Sequence, residues 1–197
     1  MDKNIKEKAA KTPKEAETAD AYDWIQCVVT ALIACILIFT FFARTVGVVS
    51  VSMQPTLVEG DRLIISRLFY TPRYGDIVVI QKDSFASYPI IKRVIATEGQ
   101  TVSIDFDAGV VYVDDVALRE PYVNSPTYEP EDFTRPVTVP EGCVFVMGDN
   151  RNRSTDSRTS SIGCVDTRCI LGKALWRITP LNKFGGLYRS LQGAGAA

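Results

Sequence analysis

The sequence contains no histidine among its 197 residues. Without an imidazole, the chain cannot form a Ser-His-Asp triad, a Cys-His pair or a histidine-containing zinc site. Any serine nucleophile must therefore pass its proton to another kind of side chain. The five cysteines show no C-x-x-C spacing either, and such spacing is typical of metal and thiol redox sites. We accordingly expect no metal and no cofactor.

An excess of positive charge is also lacking. The 22 basic residues are balanced by 23 acidic ones, and the formal net charge is −1. Proteins that bind nucleic acid need a basic field to hold phosphates, so we expect no nucleic-acid partner. The apolar share of 46% is large enough for a packed core, and the length suits one or two small domains.

Charged residues are absent from 24–43, which read WIQCVVTALIACILIFTFFA. A helix of this length can cross a hydrocarbon layer of about 30 Å, and Trp24 stands where interfacial aromatics are common. A cleaved signal peptide is disfavoured, because Phe41 occupies the −3 position where a small residue is needed. A buried globular helix is disfavoured by the length of the uncharged run. We predict one uncleaved transmembrane helix over 24–43.

Lysines predict the orientation of this helix. Residues 1–23 contain five lysines, whereas Arg44 is the only basic residue between the apolar run and Arg62. The positive-inside rule then places the N-terminus in the cytoplasm and the later residues outside. The prediction is a single-pass protein of the cell membrane with a cytoplasmic polar leader over 1–23, the transmembrane helix over 24–43, an extracytoplasmic β domain over 44–184 and a flexible tail over 185–197.

Short apolar runs of β type follow the uncharged segment. Turn signals such as Glu59-Gly60-Asp61 separate them, and no sustained helical period occurs. Residues 121–140 hold several prolines and acids and are predicted to form a long surface loop. The pattern predicts a mostly β domain of antiparallel sheet, with strands over 46–52, 62–66, 76–81, 90–96, 101–105, 110–113, 144–147 and 173–178.

The stretch SVSMQPTL, residues 50–57, contains a candidate nucleophile. Ser52 follows a β-branched run and precedes a Pro-Thr turn. Serine, proline and threonine are ordinary turn residues, so a polar strand end is the simpler interpretation. A catalytic Ser52 would need a base that is not histidine.

Lysine is the residue type that can supply this base. Its pKa of about 10.4 must fall to roughly 7–8 for the task, and burial in apolar surroundings lowers it. Lys92 lies in PIIKRVI, the most apolar setting among the lysines after the uncharged run, which are Lys82, Lys92, Lys173 and Lys183. Strand alternation puts Lys92 and Arg93 on opposite faces, so that one can enter a pocket while the other meets water. A solvent-facing lysine is the ordinary interpretation, and only the pairing with Ser52 favours a catalytic one.

A third cluster, GDNRNRSTDSR at 148–158, could by itself be a polar loop with surface ion pairs. In company with SMQPTL at 52–57, GDRLII at 60–65 and KRVI at 92–95, it resembles the bacterial type I signal peptidase family, the Ser–Lys form. The four motifs occur in the order and spacing of that family, and the resemblance extends from the uncharged run to about Pro180.

The resemblance implies a role for each matching residue. Ser52 is the expected nucleophile and Lys92 the expected general base. The Ser50 hydroxyl and the Ser52 backbone N–H are expected to form the oxyanion hole, although family members differ at the position of Ser50. Ser154 would orient the lysine, and Asp156 and Arg158 would support it as an ion pair. The expected fold is a β-rich catalytic core with a small inserted β region, here about 100–140, and the expected scaffold residues are Asp149, Asn150 and Arg151.

The implied activity is that of a membrane-anchored serine endopeptidase. It would remove signal peptides from secreted preproteins after a small-x-small site of the Ala-x-Ala type. Its expected partners are these preproteins and the lipid bilayer, and the secretion translocon is a further candidate. The candidate walls of the substrate pocket, which plain core packing would explain equally well, are Val48, Val49, Ile90 and Ile91.

Two other functions remain open at this point. A self-cleaving Ser–Lys peptidase of the repressor type would carry a DNA-binding module where this chain has its uncharged run. A membrane-anchored β domain could instead bind partners without catalysis and keep the motif residues for structure.

Overall fold

The computed structural model describes residues 13–41, 44–81 and 88–188. Most of the predicted leader, the end of the predicted tail and Lys82, one of the lysines compared with Lys92, lie outside these ranges. The chain divides into two compact units, Met1–Phe41 and Phe42–Ala197.

The first unit contains one helix, α1 (Pro13–Phe41). Proline suits the first turn of a helix, because its missing N–H would have no partner there. Residues 13–23, which were predicted as part of a polar leader, belong to this helix. The side chains described for this helix, at 22–36, are all exposed. Within the described ranges, no helix combines the length and hydropathy required to cross a membrane.

The second unit is mostly antiparallel sheet, as predicted. The larger sheet has the strand order β1-β2-β11-β3-β4-β9-β10, with β12 paired to β11, and the smaller has the order β7-β6-β5-β8. The strands are β1 (Arg44–Gly47), β2 (Arg62–Ser66), β3 (Ile77–Ile80), β4 (Ile90–Thr97), β5 (Thr101–Asp105), β6 (Val110–Val113), β7 (Val116–Ala117), β8 (Val137–Thr138), β9 (Cys143–Met147), β10 (Val165–Asp166), β11 (Ile170–Thr179) and β12 (Gly185–Gly186).

Strand β4 lies inside the larger sheet, where β3 pairs with one edge and β9 with the other. Its residues 91–96 are all buried, because apolar clusters cover both faces: Ile91 belongs to one cluster, Val94 to a second and Ile95 to a third. A polar side chain on this strand is therefore removed from water whichever way it points.

The smaller sheet falls within the predicted insertion. Residues 121–140, which include β8 of this sheet, do not form the predicted surface loop, because several of their side chains are buried. Tyr122, Phe133 and Val139 are buried. Phe133 packs edge-on against the rings of Phe106 and Phe145, which anchors the segment to the apolar cluster between the two sheets.

Among the predicted boundaries that differ from the structure, two change how the domain is described. Strand β1 ends at Gly47 instead of continuing to residue 52, because the chain turns: the Gln54 N–H donates to the Val51 carbonyl at 3.1 Å. At the other end, the ordered domain continues past residue 184. Leu187 is buried in an apolar cluster and the Tyr188 hydroxyl donates to the Ala174 carbonyl at 2.8 Å, so the first residues of the predicted tail are packed.

Candidate active site

Ser52 and Lys92 line the same cavity, which has a volume of about 200 Å³. Ser52 reaches it from the turn after β1, and Lys92 reaches it from β4. The predicted pocket walls line this cavity as well, and they are Val48, Val49, Ile90 and Ile91. Val48 and Ile91 also belong to an apolar core cluster, so they serve packing and the cavity together, whereas Val49 is 68% exposed.

The Ser52 backbone N–H points towards Ser50. It donates to the Ser50 Oγ at 3.2 Å, while the Ser52 side chain is buried at 7% exposure. Ser50 is exposed and lines the cavity too. A backbone N–H and a hydroxyl at this separation can donate together to an oxygen atom placed beside Ser52.

Lys92 is 4% exposed, and its Nζ donates to Ser154 Oγ at 3.1 Å. Burial lowers the pKa of Lys92 from its ordinary value to about 8, against an opposing pull from Asp156, and Arg158 lowers it further. No described carboxylate forms an ion pair with this lysine. A neutral amine is therefore accessible near physiological pH.

Ser154 connects the lysine to a buried ion pair. Its hydroxyl donates to Asp156 Oδ2 at 2.8 Å, and Asp156 Oδ1 accepts from Arg158 Nε at 2.8 Å. A hydroxyl carries one proton, and that of Ser154 is directed at Asp156, so its oxygen can only accept from Lys92. The arrangement fixes the amine of Lys92 and leaves the lone pair of its neutral form for another donor.

The Ser52 hydroxyl and the Lys92 amine share the cavity, but the hydrogen bonds found among the described residues do not include one between these two atoms. Catalytic hydrogen bonds are often long in a site without substrate and shorten when substrate binds. The structure thus brings the two residues to one cavity.

Gly148 lies where this site is most crowded. A Cβ at this position would stand 2.5 Å from the Ser52 carbonyl oxygen and would overlap Ser154 Oγ. Only glycine fits between these two residues. The first residue of the GDN motif thus allows the segment that carries Ser154 to pack against the backbone of Ser52.

Arg93 points away from the cavity, as strand alternation predicts, but it does not meet water. It is 1% exposed, and its Nε donates to Asp149 Oδ1 at 2.8 Å. Its guanidinium also lies 4.0 Å from the centre of the Tyr122 ring. Burial by itself lowers the pKa of Arg93, but the hydrogen bond and charge of Asp149 raise it above its ordinary value. The apolar residues on both sides of the KR pair were the signal for a strand buried on both faces.

Sequence reasoning missed several residues that line the cavity. Arg153 and Thr155 flank Ser154, and Tyr88 and Pro89 precede the predicted wall residue Ile90. Arg153 could have been found from its position beside Ser154, but nothing in the sequence indicated that the turn before β4 reaches the site.

The described ranges contain no grouping of cysteine and acidic side chains suited to a metal ion.

Comparisons with known proteins indicate the family of this chain. Residues 21–179 match the family described as "Signal peptidase, peptidase S26". A probable signal peptidase I-1 of Synechocystis sp. is 38% identical over 174 residues, which cover 83% of this chain and 85% of the relative. The signal peptidase I of Bacillus licheniformis is 35% identical over 176 residues, which cover 82% of this chain and 90% of the relative. A solved signal peptidase I of Enterococcus faecalis is 31% identical and has a TM-score of 0.42, covering 53% of this chain and 97% of that one.

The chain therefore belongs to the signal peptidase family, peptidase S26, and within it to the type I signal peptidases, which are serine peptidases.

Proposed function

We propose that this chain is a membrane-anchored endopeptidase that removes signal peptides from secreted preproteins with a Ser52–Lys92 dyad. The observation that carries the proposal is the cavity that Ser52 and Lys92 share. Its lysine is buried, has no carboxylate in an ion pair with it and has a pKa lowered to about 8. A structural lysine would be expected to remain charged, in solvent or in an ion pair.

The reaction begins with proton transfer. Neutral Lys92 Nζ accepts the proton of Ser52 Oγ, and the oxygen attacks the carbonyl carbon of the scissile peptide. The resulting oxyanion accepts hydrogen bonds from the Ser52 N–H and the Ser50 hydroxyl. The Lys92 ammonium then gives its proton to the leaving amine, and an ester to Ser52 remains. A water molecule that loses its proton to Lys92 attacks this ester, and the ammonium returns the proton to Ser52.

The proposed cleavage site has small residues at −1 and −3. The valine and isoleucine side chains form part of the wall of a cavity of about 200 Å³ beside the nucleophile, which has room for more than one small side chain of a bound peptide. Shallow apolar pockets discriminate against larger groups by excluding them. Specificity for Ala-x-Ala is therefore the expected consequence of the four wall residues.

Anchoring by residues 24–43 is part of the same proposal. Ser52 follows the uncharged run by nine residues, which would keep the nucleophile near the outer face of the membrane. A signal peptide has its apolar region in the bilayer, so its cleavage site emerges at the same level. The orientation follows from the lysines before the run.

The test is cleavage of a preprotein with an Ala-x-Ala site by the full-length chain in lipid vesicles. The native chain should release the mature protein, and Ser52→Ala and Lys92→Ala should not. Ser103→Ala in β5 and the exposed Lys183→Ala serve as matched controls and should cleave normally. Equal processing by all variants would exclude the dyad, and no processing by the native chain would favour a binding domain instead.

A further inference from the structure

The peptide bond before Ser52 is held from outside the nucleophile's own turn. Resting on the proposed function, we propose that Asn150 is a positioning residue that aims the Ser52 N–H at the oxyanion. Asn150 belongs neither to the proposed dyad nor to the two proposed oxyanion donors.

Asn150 contacts both peptide units that adjoin Ser52. Its backbone N–H donates to the Ser52 carbonyl at 2.9 Å, and its side-chain Nδ2 donates to the Val51 carbonyl at 3.1 Å. It is 4% exposed, so water does not compete strongly for these bonds. One residue therefore fixes the backbone on each side of the nucleophile.

The side-chain bond acts on the oxyanion donor through peptide geometry. The Val51 C=O and the Ser52 N–H belong to one planar trans unit and point in opposite directions. A donor that holds the Val51 oxygen therefore sets the direction of the Ser52 N–H. That N–H points at Ser50 Oγ, 3.2 Å away, which is the side where the two proposed oxyanion donors converge.

The amide of Asn150 is itself oriented by a second asparagine. Asn124, in the predicted insertion, donates from Nδ2 to Asn150 Oδ1 at 3.2 Å. Because Oδ1 accepts this bond, Nδ2 is turned towards Val51. The inserted region thus connects to the nucleophile through two side chains.

A matched asparagine lies two residues away. The Oδ1 of Asn152 accepts from the backbone N–H groups of Tyr128 and Glu129 at 2.9 and 3.1 Å. These contacts support a loop and do not reach Ser52. Asn152→Asp retains this acceptor but loses the Nδ2 donor, which bonds Ser125 Oγ at 3.1 Å and the Pro126 carbonyl at 3.0 Å. It is therefore the control for the same change of charge and loss of a donor in this segment.

The main variant is Asn150→Asp, which has almost the same shape. It keeps the backbone bond to Ser52 and replaces the Nδ2 donor by an oxygen that repels the Val51 carbonyl. We expect kcat to fall roughly 10- to 100-fold, less than when an oxyanion donor is removed outright. KM should stay within about threefold, because an oxyanion donor acts mainly in the transition state. Asn152→Asp should leave both constants unchanged.

Two ligands distinguish a change in the direction of the Ser52 N–H from a general structural change in the site. A peptide aldehyde forms an oxyanion on Ser52, so its affinity should fall in Asn150→Asp by the same factor as kcat/KM. A non-cleavable peptide of the same sequence makes no oxyanion, and its affinity should not change. An equal loss of affinity for both peptides, or an unchanged kcat in the folded variant, would overturn the proposal.

Asn124→Ala decides the matter if Asn150→Asp does not fold. It frees the Asn150 amide without changing that residue, and a smaller loss of kcat at constant KM is expected. An unchanged kcat would then refute the proposal. Failure of the native chain to cleave any preprotein would instead refute the proposed function, and that result is seen before the variants are compared.

Discussion

The two faces of β4 shift the pKa values of two adjacent basic side chains in opposite directions. Lys92 and Arg93 are neighbours in sequence and both are buried. Lys92 contacts a hydroxyl, and burial lowers its pKa to about 8. Arg93 contacts both oxygens of Asp149, which raise its pKa against the effect of burial. The partner that each face supplies therefore determines whether the pKa of its basic side chain is lowered or raised.

This difference allows one buried strand to carry both the proposed base, Lys92, and an arginine that forms a structural ion pair with Asp149. On the Lys92 face, the nearest acid, Asp156, is engaged by Arg158, so its charge is largely compensated. On the Arg93 face, Asp149 has Arg93 as its ion-pair partner and also accepts from the Thr56 hydroxyl at 2.5 Å. Through Asp149, Arg93 thereby connects to the turn that follows Ser52, whereas Lys92 is the proposed base.

The largest effect on cleavage is expected when each of the two basic residues is replaced, in separate variants, by the other basic residue type. Lys92→Arg places a guanidinium that cannot be neutral at the site of the base, so kcat/KM should fall by roughly 10⁴-fold or more, as when a member of a catalytic set is removed. Arg93→Lys keeps a charge opposite Asp149 and should retain most activity at a temperature where it is folded. The measurement is preprotein cleavage, and an active Lys92→Arg would contradict a lysine base.

Removing the charge on the other face should affect stability instead. Arg93→Met leaves Asp149 buried without its ion-pair partner, and breaking such a pair costs about 3–5 kcal/mol. Urea unfolding of a soluble chain lacking α1, compared with the same chain carrying the exposed Arg168→Met, measures the cost. A loss below about 1 kcal/mol, as for surface pairs, would mean that Asp149 does not depend on Arg93.

The pH dependence of cleavage should follow Lys92. Because the neutral amine is the active form and the pKa is about 8, kcat/KM should approach a tenfold fall per pH unit below that value, which amounts to about 50-fold between pH 8 and pH 6. Steady-state assays on one peptide give the profile. Constant kcat/KM from pH 5 to 9 would show that no such group titrates.

A smaller effect is expected when Lys92 is replaced by Met. Its pKa is lowered from 10.5 to about 8 on folding, so the buried charge destabilises the native state below pH 8. Lys92→Met should therefore raise the unfolding free energy by about 2 kcal/mol at pH 7, after the lost bond to Ser154 is allowed for. The unfolded chain binds more protons between about 8 and 10.5, so native stability rises with pH there and the gain should shrink. Urea unfolding at pH 7 and 10 tests this, and a destabilised variant at pH 7 would contradict it.

The sequence predicted local elements well and long-range packing poorly. The strands at 62–66, 101–105 and 110–113 have the predicted limits, because alternation and turn residues act over a few positions. Strand β11 pairs with both β2 and β3, which no local pattern encodes. The burial of Phe133 likewise depends on Phe145, a partner in another strand.

The candidate site shows the same division. Four motifs predicted a site that contains Ser52 and Lys92, and the structure places both residues on one cavity. The burial of Arg93 was not predicted, because the alternation of side chains was applied to β4 and the apolar residues on both sides of the KR pair, which indicate a strand covered on both faces, were not used. The contacts of Asn150 with Val51 and Ser52 were also unpredictable, because they depend on how two distant turns approach each other.

The proposed mechanism depends most on the pKa of the Lys92 amine. The direct measurement is an NMR titration of Ser52→Ala with ¹³C-labelled lysine, with Lys92 assigned by comparison with Ser52→Ala/Lys92→Met. We predict that the Lys92 side chain titrates near pH 8. A Lys92 signal that still reports an ammonium group at pH 10 would contradict the assignment of this residue as the base.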